Sequence, residues 1–468
     1  LVFVSFSELL QAQRILSLEE SLSIALKESY SINSANFNLN SSEMRLEAAK
    51  LGLRTSVDME VDVPNYSKNL VSRFNTVTQR EEFYESGNTT YESRLSINQP
   101  IVFTNGQFSV IGRLFGRNQY SALNPGAKDY FSNLILNLNQ PLFTFNTQKA
   151  NLKRAELNLD VTKKNYSKTQ ADIIYNVTSG FFDLYRAKKS LEIAHEKVKQ
   201  TELSYETAGN KFKAGLIAEV EALQLEVDLS ASKDEELNAL RRFNESKNDF
   251  KLLIGLDLNE NIDVTAQLEY SPIEVDKESA IEYALKNRPE IFSSETDIEL
   301  NEMNVDETSA KKNIKAVLNV NYGINKVDTS FSNVFNNFLQ NRSVVLTFSL
   351  PIWDWGKNNR EVESAEANLR LSKLNLDYQR LSIINEITRL VSRLESARER
   401  VTVLSKSVEL AEKSYNISLE RFKAGNITSF DLSQMQLRLT DAKTNSLNAL
   451  IDYKLALADL NRRTLHSY

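Results

Sequence analysis

The feature that most restricts what this chain can fold into is that it is written twice. Tyr205-Glu-Thr-Ala-Gly-Asn-Lys-Phe212-Lys-Ala-Gly215 returns as Tyr415-Asn-Ile-Ser-Leu-Glu-Arg-Phe422-Lys-Ala-Gly425, an offset of 210. The same offset carries Pro141-Leu-Phe-Thr-Phe145 onto Pro351-Ile-Trp-Asp-Trp355. A second offset, 259, carries Ala25-Leu-Lys27 onto Ala284-Leu-Lys286 and Glu43-Met44 onto Glu302-Met303. The difference, 259 − 210 = 49 residues, is an insertion in the first half, within about 64–130. The period is too long for a solenoid. Two related units are expected, 18–256 and 275–463, joined by 257–274 and followed by a short tail, 464–468.

Each unit carries a long helical stripe. Ile174, Val177, Phe181, Leu184, Lys188, Leu191, His195 and Val198 step by three and four, as do Ile384, Ile387, Val391, Leu394, Arg398, Val401, Ser405 and Val408, 210 residues on. Such spacing marks helices packed lengthwise against neighbours. With only 13 Gly and 7 Pro in 468 residues, little interrupts them. The stretches 148–213 and 357–423 each predict one helix on the order of 100 Å. Four shorter stretches, 18–53, 219–254, 275–312 and 429–462, predict helices of roughly half that length. Each Lys-Ala-Gly reads as a helix end with Gly in the left-handed cap position. Thr428 and Ser429 read as N-caps for the helix that follows the second.

Between the helices the period drops to two. Val57, Met59, Val61 and Val63 alternate with Asp58, Glu60 and Asp62, and strands are also expected near 131–140, 316–325 and 343–350. One face is apolar and the other amide, hydroxyl or acid. Such a strand suits either a half-buried soluble sheet or a membrane β-barrel. The helices spend their apolar faces on each other and leave nothing to cover a sheet, which favours the barrel. Four strands cannot close one alone, so several copies must share it. No run of 18 apolar residues exists to make a membrane helix.

Composition removes other functions. With no Cys and two His, thiol chemistry, disulfides and Cys or His metal centres are excluded. No phosphate loop or nucleophile motif is present, so neither an enzyme nor a cofactor is expected. A net charge of −6 argues against nucleic acid as a partner. His195 reads as a packed or water-facing side chain rather than a ligand. Residues 1–13, apolar and then polar, are either the tail of a secretory signal peptide or an N-terminal arm.

These residues resemble the outer-membrane efflux protein family, the TolC-like exit ducts. The marks are Gln140-Pro141-Leu142-Phe143 and Leu350-Pro351-Ile352-Trp353-Asp354-Trp355-Gly356, each opening a very long helix, the Phe-Lys-Ala-Gly reversals at 212–215 and 422–425, and Ile427-Thr428-Ser429-Phe430-Asp431-Leu432. The resemblance covers about 18–463. It implies an α+β membrane protein built by a homotrimer, in which an internally duplicated α-helical barrel crosses the periplasm and a shared transmembrane β-barrel sits in outer-membrane lipid. The implied function is passive conduction in a tripartite efflux or type I secretion system, with a periplasmic adaptor and an inner-membrane pump or ABC exporter as partners. The rival reading is a soluble periplasmic coiled-coil adaptor, which would not duplicate its whole unit.

The resemblance also implies sites. Phe212, Gly215, Leu216, Ile217, Phe422, Gly425, Asn426 and Ile427 would lie at the periplasmic tip, as an adaptor-docking surface or as plain helix corners. Asp431 matches an acidic pore position and Glu221 is its repeat equivalent. Each is either a pore-gate carboxylate or an acid complementing a helix N-terminus. The chain departs from the family at Gln434, where a second acid is expected, and at Phe422 and Ile427, where a Tyr and an Arg make closing contacts. Trp353 and Trp355 read as membrane-interface anchors. Lys188 and Arg398 either snorkel from the stripe or face the lumen. Leu95-Ser-Ile-Asn-Gln-Pro100-Ile-Val-Phe103, in the insertion, is a third strand-exit motif. The insertion is an extra barrel hairpin, an external cap or a periplasmic flap.

Overall fold

The computed structural model describes residues 14–121, 124–266 and 270–468, with the side chains of 124 and 125 excepted. The two readings of residues 1–13 therefore lie outside the described residues. In chain order the elements are β1 (Arg14–Leu16), α1 (Leu18–Glu28), α2 (Tyr30–Leu51), β2 (Ser56–Asn75), β3 (Arg80–Ile101), β4 (Gly106–Ser121), β5 (Asn124–Leu142), α3 (Thr147–Lys213) and α4 (Glu219–Ile254). They continue with β6 (Ile262–Val264), α5 (Lys277–Asn287), α6 (Pro289–Ser309), β7 (Lys315–Asp328), β8 (Leu339–Ser349), α7 (Lys357–Lys423) and α8 (Ser429–Thr464). The two long helices, α3 and α7, have 67 residues each.

The chain divides into two compact units. One comprises Leu1–Asn40, Val161–Ser294 and Asn375–Tyr468, the other Ser41–Asp160 and Glu295–Leu374. The first is mainly helical, and the three-four stripe supplies much of its interior, with Ile174 and His195 left exposed. Val177, Phe181 and Leu184 of α3 are fully buried and pack with Ile32, Phe250, Ile254 and Ile451. On the second copy Ile387, Val391, Leu394 and Val401 are buried. β1 and β6 form a small parallel pair in this core, Leu16 opposite Val264, with Leu16, Ile262 and Val264 fully buried. The inter-repeat segment thus brings its own apolar residues against the helices.

Both cations of the stripe are used by that segment. Lys188 Nζ donates to Asp263 Oδ2 at 2.7 Å and to the Val264 carbonyl at 2.9 Å. Arg398 Nη1 donates to Glu274 Oε1 at 3.3 Å, and the Tyr270 hydroxyl donates to the Arg398 carbonyl at 3.0 Å. Repeat-related cations fasten opposite ends of one connector. His195 is exposed, its Nδ1 2.6 Å from Glu236 Oε1.

Two of the expected single helices are broken. The first stops at Ser29, which is extended (φ −64°, ψ 148°) and whose Oγ accepts from the Ile32 N–H at 3.4 Å. The second stops at Arg288, extended at φ −69°, ψ 128°. Pro289 follows it, and proline drives the preceding residue out of helical geometry. The break turns Arg288, a nearly buried side chain, toward carboxylates: Nη1 lies 2.5 Å from Glu386 Oε2 and Nη2 3.3 Å from Glu290 Oε1. Lys168 Nζ is 3.3 Å from Glu290, and Arg463 is 3.1 Å from Glu386.

The second unit is built on one sheet of order β2-β3-β4-β5-β7-β8, with every pairing antiparallel. The ladder shifts register between Asp62 and Asn65, where Pro64 supplies no N–H. The repeat strands are thus β2, β5, β7 and β8, and the insertion supplies β3 and β4 between β2 and β5. Helix ends beside the sheet are tied by ions: Arg154 to Glu307 at 2.7 Å, Lys153 to Glu299 at 3.1 Å and Lys373 to Glu302 at 3.4 Å.

Two measurements check this account. Burial works against ionisation of Glu290, but the hydrogen bond and charge of Arg288, with Lys168 beside them, hold its carboxyl at about 2 against an ordinary 4.5. A depressed carboxylate stabilises the fold above the unfolded value, and that contribution disappears as pH falls from about 4.5 toward 2. Thermal melts of Glu290→Gln should therefore fall below wild type at neutral pH and converge with it across that window; parallel curves would contradict the assignment. Gly255 caps α4 at φ 83°, and a Cβ there would sit 2.7 Å from the Glu28 carbonyl oxygen. Gly255→Ala should lower unfolding free energy by at least about 1 kcal/mol in urea titration.

Candidate functional site

Where α3 meets α4 and α7 meets α8, the same turn is made twice. Gly215 and Gly425 are left-handed at φ 72° and 79°. The Gly215 N–H donates to the Phe212 carbonyl at 2.8 Å and Leu216 N–H to Lys211 at 2.9 Å; Gly425 to Phe422 and Asn426 to Arg421 repeat this at 3.0 and 2.9 Å. This is the Schellman closure, which satisfies carbonyls left over at a helix end. The four helix ends share a core of Ala208, Leu225, Tyr415, Phe422, Leu432 and Leu439, with Ile217 and Ile427 packed against it.

The duplication is not symmetric in environment. Phe422 is 1% exposed, whereas its counterpart Phe212 is 42% exposed and Leu216 beside it 73%. Phe422 belongs to the shared core and Phe212 does not; Lys211 Nζ also donates to the Phe422 carbonyl and sits 4.4 Å from the centre of the Phe422 ring. Ile217 and Ile427 are half-buried against this core. Leu216 in the turn and Val220, Leu223 and Val227 on α4 remain as an exposed apolar line.

The acids are brought together. Glu221 and Asp431 line one groove of about 570 Å³ with both Gly turns, Lys211 and Ile427. Their local duties differ. Asp431 closes a capping box on Thr428: its Oδ2 accepts from Thr428 N at 3.2 Å and Oγ1 at 2.9 Å, and its own N–H donates to Thr428 Oγ1 at 3.2 Å. The equivalent start of α4 has Ala218 at the N-cap and no side-chain cap bond, so Glu221 faces the helix N-terminus without a capping partner there. Gln434 is not in this groove. It lines another, of about 190 Å³, between α4 and α8 with Asp228, Phe430 and Leu437.

Polar ties join the two helical hairpins, and sequence reasoning did not find them. Ser433 Oγ donates to Asp228 Oδ2 at 2.7 Å. Buried Gln436 donates to Thr201 Oγ1 at 3.0 Å, and Lys443 is shared by Glu196 at 2.9 Å and Glu412 at 3.3 Å. Burial disfavours the Lys443 charge, but the two carboxylates outweigh it and raise its pKa. Thr201 lies three residues past Val198, a buried hydroxyl just beyond the end of the stripe.

In the other unit the strand pairings sort side chains into two faces. Val57, Met59 and Val61 share a face with Leu95 and Ile97, Phe108, Val110 and Leu114, Leu134, Leu136 and Leu138, Leu318, Val320 and Ile324, and Val344, Leu346 and Phe348. Many of these are exposed. The opposite face is mostly polar, with Ile111, Phe115, Phe131, Ile135 and Val345 also on it. Asn137 bonds Asn321 at 2.6 Å and Asn139 bonds Asn319 at 2.7 Å, while Glu92 is bound by Arg94 at 2.7 Å and by Arg113 at 2.6 Å. The aromatics Phe143, Trp353 and Trp355 are exposed where strands give way to helices, and Phe103 is exposed in the β3–β4 turn. The two tryptophans pack edge to face at 5.5 Å. Tyr66, Tyr91, Tyr120 and Tyr130 lie on the apolar face toward the other end, by the same pairings.

Among the described residues no group of three or more His, Asp or Glu is placed to hold a metal ion, and no helix is long and apolar enough to cross a membrane. The family model for the outer membrane efflux protein matches residues 116–256 and 280–464. Nodulation protein T of Rhizobium leguminosarum bv. trifolii is 22% identical over 326 residues, 68% of each chain. The outer membrane protein TolC of Salmonella enteritidis is 20% identical over 351 residues, 70% of each. In structure the chain is similar to the CmeC outer membrane channel of Campylobacter jejuni, at 15% identity and a TM-score of 0.72, covering 96% of this chain and 85% of that one.

The capping difference is measurable. Thr428→Ala should cost about 1 kcal/mol and speed hydrogen exchange in the first turn of α8 while leaving α4 unchanged; equal protection in both variants would sink the capping box.

Proposed function

Since the chain belongs to the outer membrane efflux protein family, matched over most of its length, we propose that it works as a trimer whose six-stranded sheets close one shared barrel through outer-membrane lipid. The chain is an efflux duct of the bacterial outer membrane; it conducts passively and is not an enzyme. The observation that carries the assembly is the sheet. Its apolar face is continuous and largely exposed, its other face is mostly polar, and its outer strands β2 and β8 each have one unpaired edge. In lipid an unpaired backbone edge is untenable, so the two edges must meet those of neighbouring copies. β2 and β8 run in opposite directions, so the junction continues the antiparallel alternation. A soluble adaptor is not favoured, because it gives neither the exposed apolar face nor the duplication a purpose.

Trp353 and Trp355, with Phe103 and Phe143, serve as anchors at the membrane interface, the place where amphipathic rings accumulate. The tip, with exposed Phe212 and Leu216 beside Gly215, Gly425 and Asn426, receives a periplasmic adaptor working with an inner-membrane pump or exporter. The 257–274 segment lies at the equator of the helical barrel. Glu221 and Asp431, around one groove, supply rings of carboxylates at the narrow end, which favour cations; Gln434 adds no charge. Phe422 and Ile427 leave closure of that end to apolar packing and to Lys211.

Membrane fractionation and planar-bilayer recording test this. The protein should sediment with outer membranes and run as a detergent-stable trimer. Under a salt gradient, Glu221→Gln with Asp431→Asn should bring the reversal potential toward zero. A soluble monomer would end the trimer reading, and unaltered cation preference in the double variant would remove both acids from the pore.

A further inference from the structure

The position of the inserted hairpin has a consequence for the bore. β3 and β4 pair with β2 and β5 over their lengths, and they keep the same two faces. Leu95, Ile97, Phe108, Val110 and Leu114 extend the apolar face, while Glu92, Arg94 and Arg113 extend the polar one. A cap or a flap has no reason to keep that parity with four neighbouring strands.

The register adds a second, independent argument. Hydrogen-bonded partners lead from Met59 across the sheet to Leu95, Gly112, Leu134, Ile324 and Gln340. The apolar run of β8 is centred instead on Leu346, six residues along. A drift of six residues over the five steps from β2 to β8 puts the strands about 40° from the normal of a flat apolar layer, the tilt of membrane barrels. The insertion obeys the same drift. Leu318 pairs directly with Leu346 in the second repeat; their first-repeat equivalents, Met59 and Leu136, are two strands apart and displaced by two residues. The added strands therefore keep the apolar band level.

We propose that β3 and β4 belong to the membrane wall itself, so that the bore through the outer membrane is wider than the four-strand repeat unit would close. This rests on the trimer reading. Three copies of six strands close eighteen, where three copies of the four repeat strands would close twelve. Diameter grows with strand number, from about 24 Å to about 36 Å between backbones at this tilt. On the polar face Glu60 and Glu92 lie beside Arg94, Glu92 also beside Arg113, and Asn137 and Asn139 beside Asn321 and Asn319.

The chain has no native cysteine, so single cysteines report cleanly. In purified protein reconstituted into vesicles, Ser96→Cys should react with a membrane-impermeant maleimide, and Leu95→Cys should be protected until the vesicles are dissolved in denaturant. Reaction of both from water would place the hairpin outside the wall and overturn the proposal. Joining Asn75 to Asn124, which removes both inserted strands, should narrow the barrel from about 36 Å to about 24 Å across in end-on electron-microscopy averages of the detergent-solubilised trimer; an unchanged diameter in a variant that still assembles would also overturn it. The trimer reading has its own check. Continuing the drift one step sets Met59 of the partner subunit beside Leu346 or Phe348, so Met59→Cys with either Leu346→Cys or Phe348→Cys should yield a covalent trimer on oxidation. Failure of both pairs counts against the shared barrel, whatever the labelling of Leu95→Cys and Ser96→Cys.

Discussion

A β-sheet in lipid must finish its backbone hydrogen bonds at both edges, because no water is present to finish them. That requirement governs this molecule. The chain makes six strands with a lipid-compatible face and a wet one, and it ends them at β2 and β8, whose outer edges no strand among the described residues pairs with. The duplication supplies matched strand pairs on which such a sheet is built. Assembly is thereby part of the fold rather than an addition to it.

Much of this was legible in the sequence because it is local or periodic. The stripe from Ile174 to Val198 became much of the interior of the helical unit, since a three-four spacing has one buried face whatever it packs against. Val57 to Val63 alternated in the strand as written, and the two Lys-Ala-Gly turns closed as left-handed glycine caps require. Pro289 was in plain sight as a helix break, and the count of prolines obscured it. Ser29 gave less warning, because a serine in a helical pattern is unremarkable until its hydroxyl is seen to take an amide of its own.

What was not legible depends on partners distant in the chain. The parallel pairing of Leu16 with Val264 joins residues nearly 250 positions apart, and three-residue strands leave no periodic trace. The place of β3 and β4 follows from hydrogen-bond pairing, which composition does not encode. Lys188 and Arg398 read as snorkelling from the stripe or facing the lumen; what the sequence does not give is their partner, the connector between the repeats. At the tip, the repeat made Phe212 and Phe422 look equivalent. The shared core and a lysine at one of them, with a threonine at only one N-cap, divide their surroundings.

That division gives the two tip hairpins unequal stiffness. The start of α8 is held by reciprocal bonds between Thr428 and Asp431 and roofs a buried aromatic ring. The start of α4 has an alanine where the cap would be and an apolar line facing outward. Local opening draws on the least-tethered segment, so thermal fraying concentrates in the first-repeat hairpin and spares its twin. A duplicated chain has in this way acquired one compliant finger and one firm one from nearly the same words.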